Sequence, residues 1–288
     1  MSKPRILIQL DSDAHASVFD SVVAIDAGID QLLAHNKVEP TQVRDLVHGA
    51  MFTRGPKDLK STAIFVGGSD VAAGEALLEQ VKSTFFGPMC VSAMLDANGA
   101  NTTAVAAVLS AAKHIQLDGT TTTVLAATGP VGQRVARLLA REGATVRAVS
   151  RDLERARQSC EAICNRVEGA RLHPMAASTP EEIHQACEGS QLIISAGAAS
   201  IELLRSEDRA ALESVVVAID LNAVPPLGIG GIEVTDAAVE RDEMTCYGAI
   251  GVGGLKMKIH KAAIRQLFES NDQVLDAEEI FQLGQSLS

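Results

Sequence analysis

The stretch TTTVLAATGPVGQRVARLLAREGATVRAVSR, residues 121–151, decides the fold of this chain. It begins with β-forming residues, turns at a segment with two glycines, continues with apolar residues at helical spacing and returns to a second run of β-formers. This order predicts a strand, a helix and a second strand within about thirty residues. Because such a crossover joins parallel strands, the stretch predicts a parallel sheet covered by helices.

The turn inside this stretch resembles a dinucleotide-binding fingerprint with its first glycine missing. Gly129 and Gly132 take the positions that let the backbone approach a pyrophosphate and let the helix pack on the strand, and Ala127 takes the first position. The N-terminal N–H groups and dipole of the helix would then face the phosphates. The predicted phosphate-binding residues are Thr128, Gly129, Pro130, Val131 and Gly132. A bare strand–turn–helix without a ligand is the alternative.

Strands and helices alternate through the rest of the chain. Further strands are predicted at residues 5–10, 61–67, 90–95, 191–195 and 214–220. Further helices are predicted at residues 17–33, 71–84, 102–114, 153–167, 180–187, 201–204 and 255–269, the last after a glycine turn at 248–254. The predicted fold class is therefore α/β, with a Rossmann-like parallel-sheet nucleotide domain at residues 106–267 and a second α/β domain formed by residues 1–105 with 268–288.

The composition narrows the class of protein. Of the 288 residues, 47% are hydrophobic and only 3% aromatic, so we expect an aliphatic core. The net charge of −11 argues against a nucleic-acid-binding surface. No stretch approaches the roughly 18 apolar residues of a membrane span, and the N-terminus lacks a signal peptide. Five cysteines without a CxxC pair fit a reducing compartment, so we expect a cytoplasmic protein without a metal site.

The end of the second strand of the quoted stretch predicts the choice of nucleotide. An NAD site normally has Asp or Glu there, which binds the ribose hydroxyls. This chain has Ser150 and Arg151, a hydroxyl and a guanidinium that suit a 2′-phosphate. Asp152 is expected to cap the following helix, and Arg155 either assists or lies on a solvated face. The sequence therefore predicts NADP, with NAD as the weaker alternative.

Two further segments follow predicted strands of the nucleotide domain. Ala196, Gly197 and Ala198 are small enough for the backbone to approach the nicotinamide ribose. Asn222 follows the next strand and is expected to hydrogen-bond the nicotinamide amide. Ligands bind at the carboxyl ends of strands in open α/β sheets, which is why these positions are candidates.

Several motifs carry a family resemblance that spans the whole chain. They are SVFD at 17–20, FTRGPKD at 52–58, STAIFVGG at 61–68, MLDANGANTTA at 94–104, LNAVPPLGIGGI at 221–232, GVGGLKMKIH at 251–260 and LDAEEI at 275–280. Together they resemble the bacterial NAD(P)-dependent methylene-tetrahydromethanopterin dehydrogenases. The departure is Ala127, where relatives carry glycine.

The resemblance implies one reaction in the oxidation of formaldehyde. A hydride passes reversibly from methylene-tetrahydromethanopterin to NADP⁺, which gives the methenyl form and NADPH. The resemblance also implies that residues 1–105 with 268–288 form the pterin domain, that the pterin binds in a cleft between the domains, and that neither metal nor flavin takes part. It further implies a cytoplasmic homo-oligomer, with a trimer as the expected form and no nucleic-acid or membrane partner.

The resemblance implies a catalytic lysine, Lys256, in the motif GVGGLKMKIH. A lysine at the start of the predicted helix opposes the helix dipole, which suggests a use other than stability; a surface lysine is the alternative. The predicted substrate-binding residues are Ser17, Phe19, Asp20, Asp96, Asn98, Thr102 and Thr103. For these, helix caps, a turn after a strand and core packing are the alternatives.

Two other functions remain open at this stage. Methylene-tetrahydrofolate shares the reacting ring, so a methylene-tetrahydrofolate dehydrogenase has the same chemistry. A non-catalytic NADP-binding sensor would use the nucleotide domain without turnover. The chain has no GxSxG or HExxH motif, which agrees with a hydride transfer that moves no proton at the reacting carbon.

Overall fold

A computed structural model describes residues 3–287. The elements of the fold follow one another in the order β1 (Ile6–Asp11), α1 (Val18–Asp26), β2 (Gln31–His35), α2 (Pro40–Phe52), β3 (Thr62–Gly67), α3 (Val71–Thr84), β4 (Ser92–Leu95), α4 (Ala100–Ala112), β5 (Thr121–Leu125), α5 (Pro130–Arg141), β6 (Thr145–Ser150), α6 (Leu153–Cys164), β7 (Arg171–Ala176), α7 (Pro180–Cys187), β8 (Leu192–Ser195), α8 (Ser206–Ala210), β9 (Val217–Asp220), β10 (Ala237–Arg241), β11 (Met244–Tyr247), α9 (Ala249–Gln266), β12 (Val274–Leu275) and α10 (Ala277–Gln285).

The chain divides into two compact units, which we call the N-terminal unit (residues 3–102 and 257–287) and the central unit (residues 103–256). The first boundary lies three residues before the predicted one. The second boundary lies eleven residues before its predicted position, because residues 257–267 were predicted to belong to the nucleotide domain. The reason is that the last part of α9 carries buried residues such as Ile259, Ile264 and Leu267, and His260 stacks on Phe65 of the N-terminal unit.

The N-terminal unit contains a five-stranded sheet in the order β12-β4-β3-β1-β2, and all of its strand pairs are parallel. Strand β3 is buried along its whole length, which explains its continuous apolar sequence. The predicted helix at 17–33 was wrong in its second half. Helix α1 ends at Asp26, Gly28 follows with a φ of 90°, and β2 begins at Gln31.

The central unit contains a seven-stranded sheet in the order β10-β11-β9-β8-β5-β6-β7. Its strand pairs are parallel except for the antiparallel pair of β10 and β11. The chain runs from β5 outward to β7, crosses back and continues from β8 outward on the other side of β5. The carboxyl ends of β5 and β8 therefore flank the topological switch point, where open α/β sheets bind their ligands.

Two further predictions in the central unit were wrong. The predicted helix at 201–204 is absent, because the Leu203 and Leu204 amides donate to the Gly228 carbonyl and helix α8 begins only at Ser206. The predicted glycine turn at 248–254 is mostly helix, since α9 begins at Ala249. Gly251 lies so close to the Asp236 carbonyl that no side chain fits there, which explains a glycine inside the helix.

The cores of both units consist mainly of aliphatic side chains, as the composition predicts. Among residues 3–287, no helix has the length and apolar character that crossing a membrane requires.

Candidate functional site

The glycine turn lies between β5 and α5 at the switch point of the central sheet. Gly129 caps α5, and Pro130 is its first helical residue, where a missing N–H costs no helical hydrogen bond. A Cβ atom on Gly132 would lie 2.5 Å from the Ala126 carbonyl oxygen, so this glycine is required by helix–strand packing. A Cβ atom on Gly129 would meet only ordinary contacts, at 3.5 Å or more. Packing within the protein therefore does not require glycine at position 129. A ligand that approaches the backbone closely at this position would explain why a glycine is present.

The missing first glycine has a structural compensation. The positive φ in this turn belongs to Ala126, at 57°, whereas Ala127 is not among the residues with positive φ. Ala127 is buried, and its amide donates to the Val149 carbonyl in β6. A methyl group is therefore tolerated at 127 because the backbone there keeps an ordinary conformation.

The end of β6 presents the residues predicted to select the nucleotide. The hydroxyl oxygens of Ser150 and Thr128 are 3.4 Å apart, so the structure brings these two predicted residues together. The Asp152 carboxylate accepts hydrogen bonds from the amides of Glu154 and Arg155 and so caps α6. Arg151 and Arg155 are exposed. The acidic group next to Arg151 is thus engaged with the helix terminus, and the guanidinium remains accessible.

The ends of β8 and β9 are held by internal hydrogen bonds. The Asp220 carboxylate accepts from the amides of Asn222 and Ile229, and burial raises its pKa while these hydrogen bonds oppose the rise. The Asn222 amide group donates to the carbonyls of Ala198 and Pro226, and its oxygen accepts from Val224. Asn222 is only 4% exposed and its side chain holds two loops together, while its contact with the nicotinamide amide stays a prediction.

The segment after β8 was predicted to border the nicotinamide ribose, and this stays a prediction. Ala196, Gly197 and Ala198 leave the carboxyl end of β8 without large side chains. A Cβ atom on Gly197 would lie 2.9 Å from the Leu203 side chain. Gly197 is therefore explained by packing, and only the backbone of this segment is available for a ligand.

In the N-terminal unit, the start of α1 carries three of the predicted substrate residues. The Ser17 hydroxyl accepts a hydrogen bond from the Asp20 amide, so Ser17 is the N-cap of α1. The Phe19 side chain is 51% exposed, so its ring is accessible to a ligand. Asp20 and Asp11 both have a carboxylate oxygen within 3.6 Å of the Cβ position of Gly67, so two carboxylates converge at the end of β3.

The segment after β4 leads into the start of α4. Asp96 is fully buried, and its two carboxylate oxygens accept from the Thr102 amide at 3.0 Å and the Thr102 hydroxyl at 2.7 Å. Asp96 and Thr102 therefore hold the start of α4. Asn98 is exposed with a φ of 54°, and its amide donates to the Gly68 carbonyl, as expected of a turn.

Lys256 and Thr103 line the same cavity in the central unit. The cavity has a volume of about 170 Å³, and its other lining residues are Leu221, Ala249, Val252 and Gly253. The structure thus brings together the predicted catalytic lysine and one predicted substrate residue. The dipole argument for Lys256 was wrong, however. Helix α9 begins at Ala249, so Lys256 lies beyond the first turn, where the dipole has little effect.

His260 was missed by the sequence analysis. It is fully buried, its Nδ1 lies 3.9 Å from the Asp96 carboxylate, and its ring stacks on Phe65. A buried histidine on an apolar helix face carries a weak signal by itself. Its place at the end of the motif GVGGLKMKIH, four residues after Lys256, was a pointer in the sequence.

Sequence comparisons identify both halves of the chain. A family profile described as "Methylene-tetrahydromethanopterin dehydrogenase, N-terminal" matches residues 18–98. A second profile, described as "NAD(P)H-binding", matches residues 126–244. The second match contains the glycine turn, Ser150 and Arg151.

Two relatives from Methylorubrum extorquens match over nearly the whole length. The "Bifunctional protein MdtA" is 44% identical to this chain, and the match covers 100% of both chains. The "NAD(P)-dependent methylenetetrahydromethanopterin dehydrogenase" is 30% identical over 97% of each chain.

Solved structures share the fold at low sequence identity. Shikimate 5-dehydrogenase from Listeria monocytogenes matches with a TM-score of 0.55 at 15% identity, covering 100% of this chain and 96% of its own. Quinate dehydrogenase from Corynebacterium glutamicum matches with a TM-score of 0.55 at 11% identity, covering 99% and 100%. These similarities concern the arrangement of the elements alone. The full-length matches to curated relatives show more: the chain belongs to the family of NAD(P)-dependent methylenetetrahydromethanopterin dehydrogenases.

Proposed function

We propose that the protein transfers a hydride reversibly from methylene-tetrahydromethanopterin to NADP⁺, which yields methenyl-tetrahydromethanopterin and NADPH in formaldehyde oxidation. The observation that carries the proposal is the turn at residues 126–132, which lies at the switch point of the central sheet. A Cβ atom would fit at Gly129 but not at Gly132, so the backbone at Gly129 is accessible to a ligand. The chain also matches this family over nearly its whole length.

The residues of the central unit fit a nicotinamide dinucleotide. The first turn of α5 and the backbone around Gly129 would hold the pyrophosphate, because helix N-termini bind anions. The backbone of residues 196–198 would border the nicotinamide ribose. When bound, the cofactor supplies the hydride acceptor. Asn222 contributes indirectly, since its side chain fixes the loop that begins at the end of β9.

NADP is the preferred cofactor in this proposal, and NAD is the weaker one. The Arg151 guanidinium and the Ser150 hydroxyl would bind the 2′-phosphate, with Thr128 beside Ser150. Asp152 does not oppose this, because its carboxylate accepts two helical N–H groups. Arg155 is exposed one turn further along α6 and adds positive charge to the same region.

The substrate residues in this proposal are fewer than the sequence suggested. Phe19 and Asp20 at the start of α1 would bind the pterin, Phe19 by stacking and Asp20 by accepting hydrogen bonds from the amino-pyrimidinone. Thr103 and Lys256 border one cavity and would hydrogen-bond the carrier, with the Lys256 ammonium away from the carbon that becomes cationic. Asp96 and Thr102 contribute to this proposal indirectly, because their hydrogen bonds hold the start of α4.

The proposed reaction does not require a side chain that acts as a general acid or base. The nitrogen lone pairs of the N–CH₂–N group push the hydride out, and the product is a delocalised cation. No proton moves at the reacting carbon. Holding the two rings in reactive geometry then supplies most of the rate, an effect of roughly 7–11 kcal/mol.

The direct test is an absorbance assay. Purified protein is mixed with methylene-tetrahydromethanopterin and NADP⁺, and the absorbance of the reduced nucleotide is followed, with NAD⁺ in a parallel reaction. We expect turnover with NADP⁺ at a higher kcat/KM than with NAD⁺. No turnover with any carrier, while NADP⁺ still binds, would favour a sensor over an enzyme.

Methylene-tetrahydrofolate is the second candidate carrier. It contains the same reacting ring, and the relative with 44% identity is named a bifunctional protein. The same assay with methylene-tetrahydrofolate decides this point, because a dual carrier specificity predicts turnover with both compounds. A folate-only enzyme would show turnover with the second alone.

We also propose a cytoplasmic homo-oligomer, with a trimer as the expected form. An exposed apolar stripe on α1, formed by Val18, Val22 and Ile25, supports association, because contiguous apolar surface is uncommon on monomers. Light scattering of the purified protein gives the subunit number. A mass near the 30.2 kDa of one chain would contradict the proposal.

A further inference from the structure

A buried histidine lies beside a buried carboxylate in the N-terminal unit, and the proposed function gives the histidine no role. The Nδ1 atom of His260 lies 3.9 Å from an oxygen of Asp96, and both side chains are fully buried. Asp96 is itself fixed by the Thr102 amide and hydroxyl. The imidazole therefore faces a carboxylate whose position is determined by the start of α4.

The imidazole makes ring contacts with two phenylalanines. Its ring centroid lies 5.7 Å from that of Phe65 with an angle of 19° between the rings, and 6.3 Å from that of Phe19 with an angle of 36°. Both distances are in the range of favourable aromatic pairs. Phe65 is in the core strand β3, whereas Phe19 is half-exposed at the start of α1. The three rings thus lead from the core to the surface of the unit.

A histidine is an expensive choice for this position if only stability matters. Burying a polar ring costs free energy that an apolar side chain of similar size would not cost. What a histidine adds is a polar edge whose Nδ1 lies 3.9 Å from Asp96, so that electrostatic attraction favours one rotation of the ring, together with a flat ring for Phe65 and Phe19 to pack on. An exposed phenylalanine is mobile unless something behind it limits its rotamers.

We infer that His260 is a positioning residue: Asp96 fixes its imidazole, and the imidazole holds the Phe19 ring in the orientation that stacks on the flat heterocycle of the carrier. The inference rests on the proposed function, in which Phe19 binds the pterin. His260 does not touch the substrate, and it acts through Phe19. It differs in this respect from Lys256, four residues earlier in the same helix.

The test compares KM values for the two substrates of the enzyme. His260→Ala should raise KM for the one-carbon carrier about tenfold, the loss expected when a favourable aromatic pair disappears. KM for NADP⁺ should stay within about twofold, because the nucleotide residues belong to the central unit. Lys258→Ala, an exposed position on the same helix, is the matched control and should change neither value. An unchanged KM for the carrier in His260→Ala would overturn the inference.

A double-mutant cycle with Phe19 separates positioning from general damage. If His260 acts through Phe19, then Phe19→Ala and the double variant should have the same KM for the carrier, so the two effects are not additive. Additive effects, or an equal rise of KM for NADP⁺ and the carrier, would contradict the inference. Wild-type protein without turnover would contradict the proposed function itself and with it this inference, whereas an active wild type with additive variants contradicts the inference alone.

Two conservative variants keep the test decisive if His260→Ala does not fold. His260→Phe keeps a flat ring between the two phenylalanines, and His260→Asn keeps a polar side chain near Asp96 but removes the ring. We expect His260→Phe, which keeps the ring but loses the polar edge facing Asp96, to raise KM for the carrier about threefold, and His260→Asn, which loses the ring, to show the full tenfold rise. The opposite order would show that the polar contact, and not the ring, is what matters.

Discussion

Gly132 lies so close to Ala126 that a Cβ atom on the glycine would be 2.5 Å from the alanine carbonyl oxygen. Gly129, three residues earlier, has no such neighbour, since its Cβ atom would be 3.5 Å from the same oxygen. The two glycines of one turn are therefore required for different reasons. Gly132 is required by the fold, and we propose that Gly129 is required by the ligand.

This difference predicts opposite phenotypes for two alanine substitutions. Gly132→Ala should lower the free energy of unfolding by about 1–3 kcal/mol, because backbone atoms must move to admit the methyl group. Gly129→Ala should leave the unfolding midpoint nearly unchanged and raise KM for NADP⁺. Urea denaturation and steady-state kinetics of both variants provide the measurement. A stable, fully active Gly129→Ala variant would exclude a close contact between residue 129 and the nucleotide.

Arg151→Ala should discriminate between the two nicotinamide cofactors. Loss of charge-assisted hydrogen bonds to a 2′-phosphate should raise KM for NADP⁺ about 10- to 100-fold and leave KM for NAD⁺ nearly unchanged. Arg157→Ala, which removes an exposed arginine of the following helix α6 that pairs with Glu154, is the control. Equal changes for both cofactors would mean that Arg151 does not contact the 2′-phosphate.

Lys256→Ala should retain nucleotide affinity and lose most turnover. Lys256 would act by positioning the carrier, and a misplacement of about 1 Å can lower the rate by about 100-fold. The affinity for NADP⁺, measured by fluorescence titration, should remain that of the wild type. Lys258→Ala should leave kcat unchanged, since Lys258 is exposed on another face of α9. A Lys256→Ala variant with normal kcat would remove this lysine from the mechanism.

The ion pair between Arg241 and Asp236 predicts a pH-dependent contribution to stability. Arg241 donates to both Asp236 oxygens, at 2.6 and 2.8 Å, and these hydrogen bonds lower the pKa of Asp236 below its usual value. A carboxylate with a lowered folded pKa contributes stability above its unfolded pKa of about 3.9, and the contribution is lost as the pH falls through the folded value.

Arg241→Ala should therefore lower the free energy of unfolding by about 1–3 kcal/mol at pH 7. The difference from wild type should shrink as the pH falls below about 4, where Asp236 becomes protonated. Urea titrations at pH 7 and pH 3 measure this. Lys82→Ala, which breaks an exposed pair with Glu79, should have a small effect at both pH values. A difference for Arg241→Ala that does not depend on pH would contradict the assignment.

The strand–helix–strand stretch was predictable because its signals are local. Apolar spacing, the two glycines and Pro130 specify β5, α5 and β6 without reference to the rest of the chain. Strands β10 and β11 were not predicted. Strand β10 is mostly exposed, so it lacks the alternation that marks a half-buried strand, and it exists because it pairs with β11 at the edge of the sheet.

The site residues that could be predicted are also those whose partners are close to them in the sequence. Ser150 and Arg151 are adjacent to each other at the end of one strand, and their neighbour Asp152 was correctly expected to cap α6. Asp96 was predicted to bind substrate because it follows a strand, but its hydrogen bonds with Thr102 direct it inward. His260 was missed because its partners Asp96 and Phe65 are far away in the sequence.

The sequence by itself determined the α/β class, the glycine turn, the residues at the end of β6 and the resemblance to one family of dehydrogenases. Each of these features depends on residues that are close together in the sequence, through their periodicity, their turn-forming residues or a short motif. The tertiary structure alone decided which polar residues face inward, that α9 begins at Ala249, and that His260 lies against Asp96 and Phe65. The physical reason is that burial and hydrogen bonding depend on contacts between distant segments, which local sequence patterns do not record.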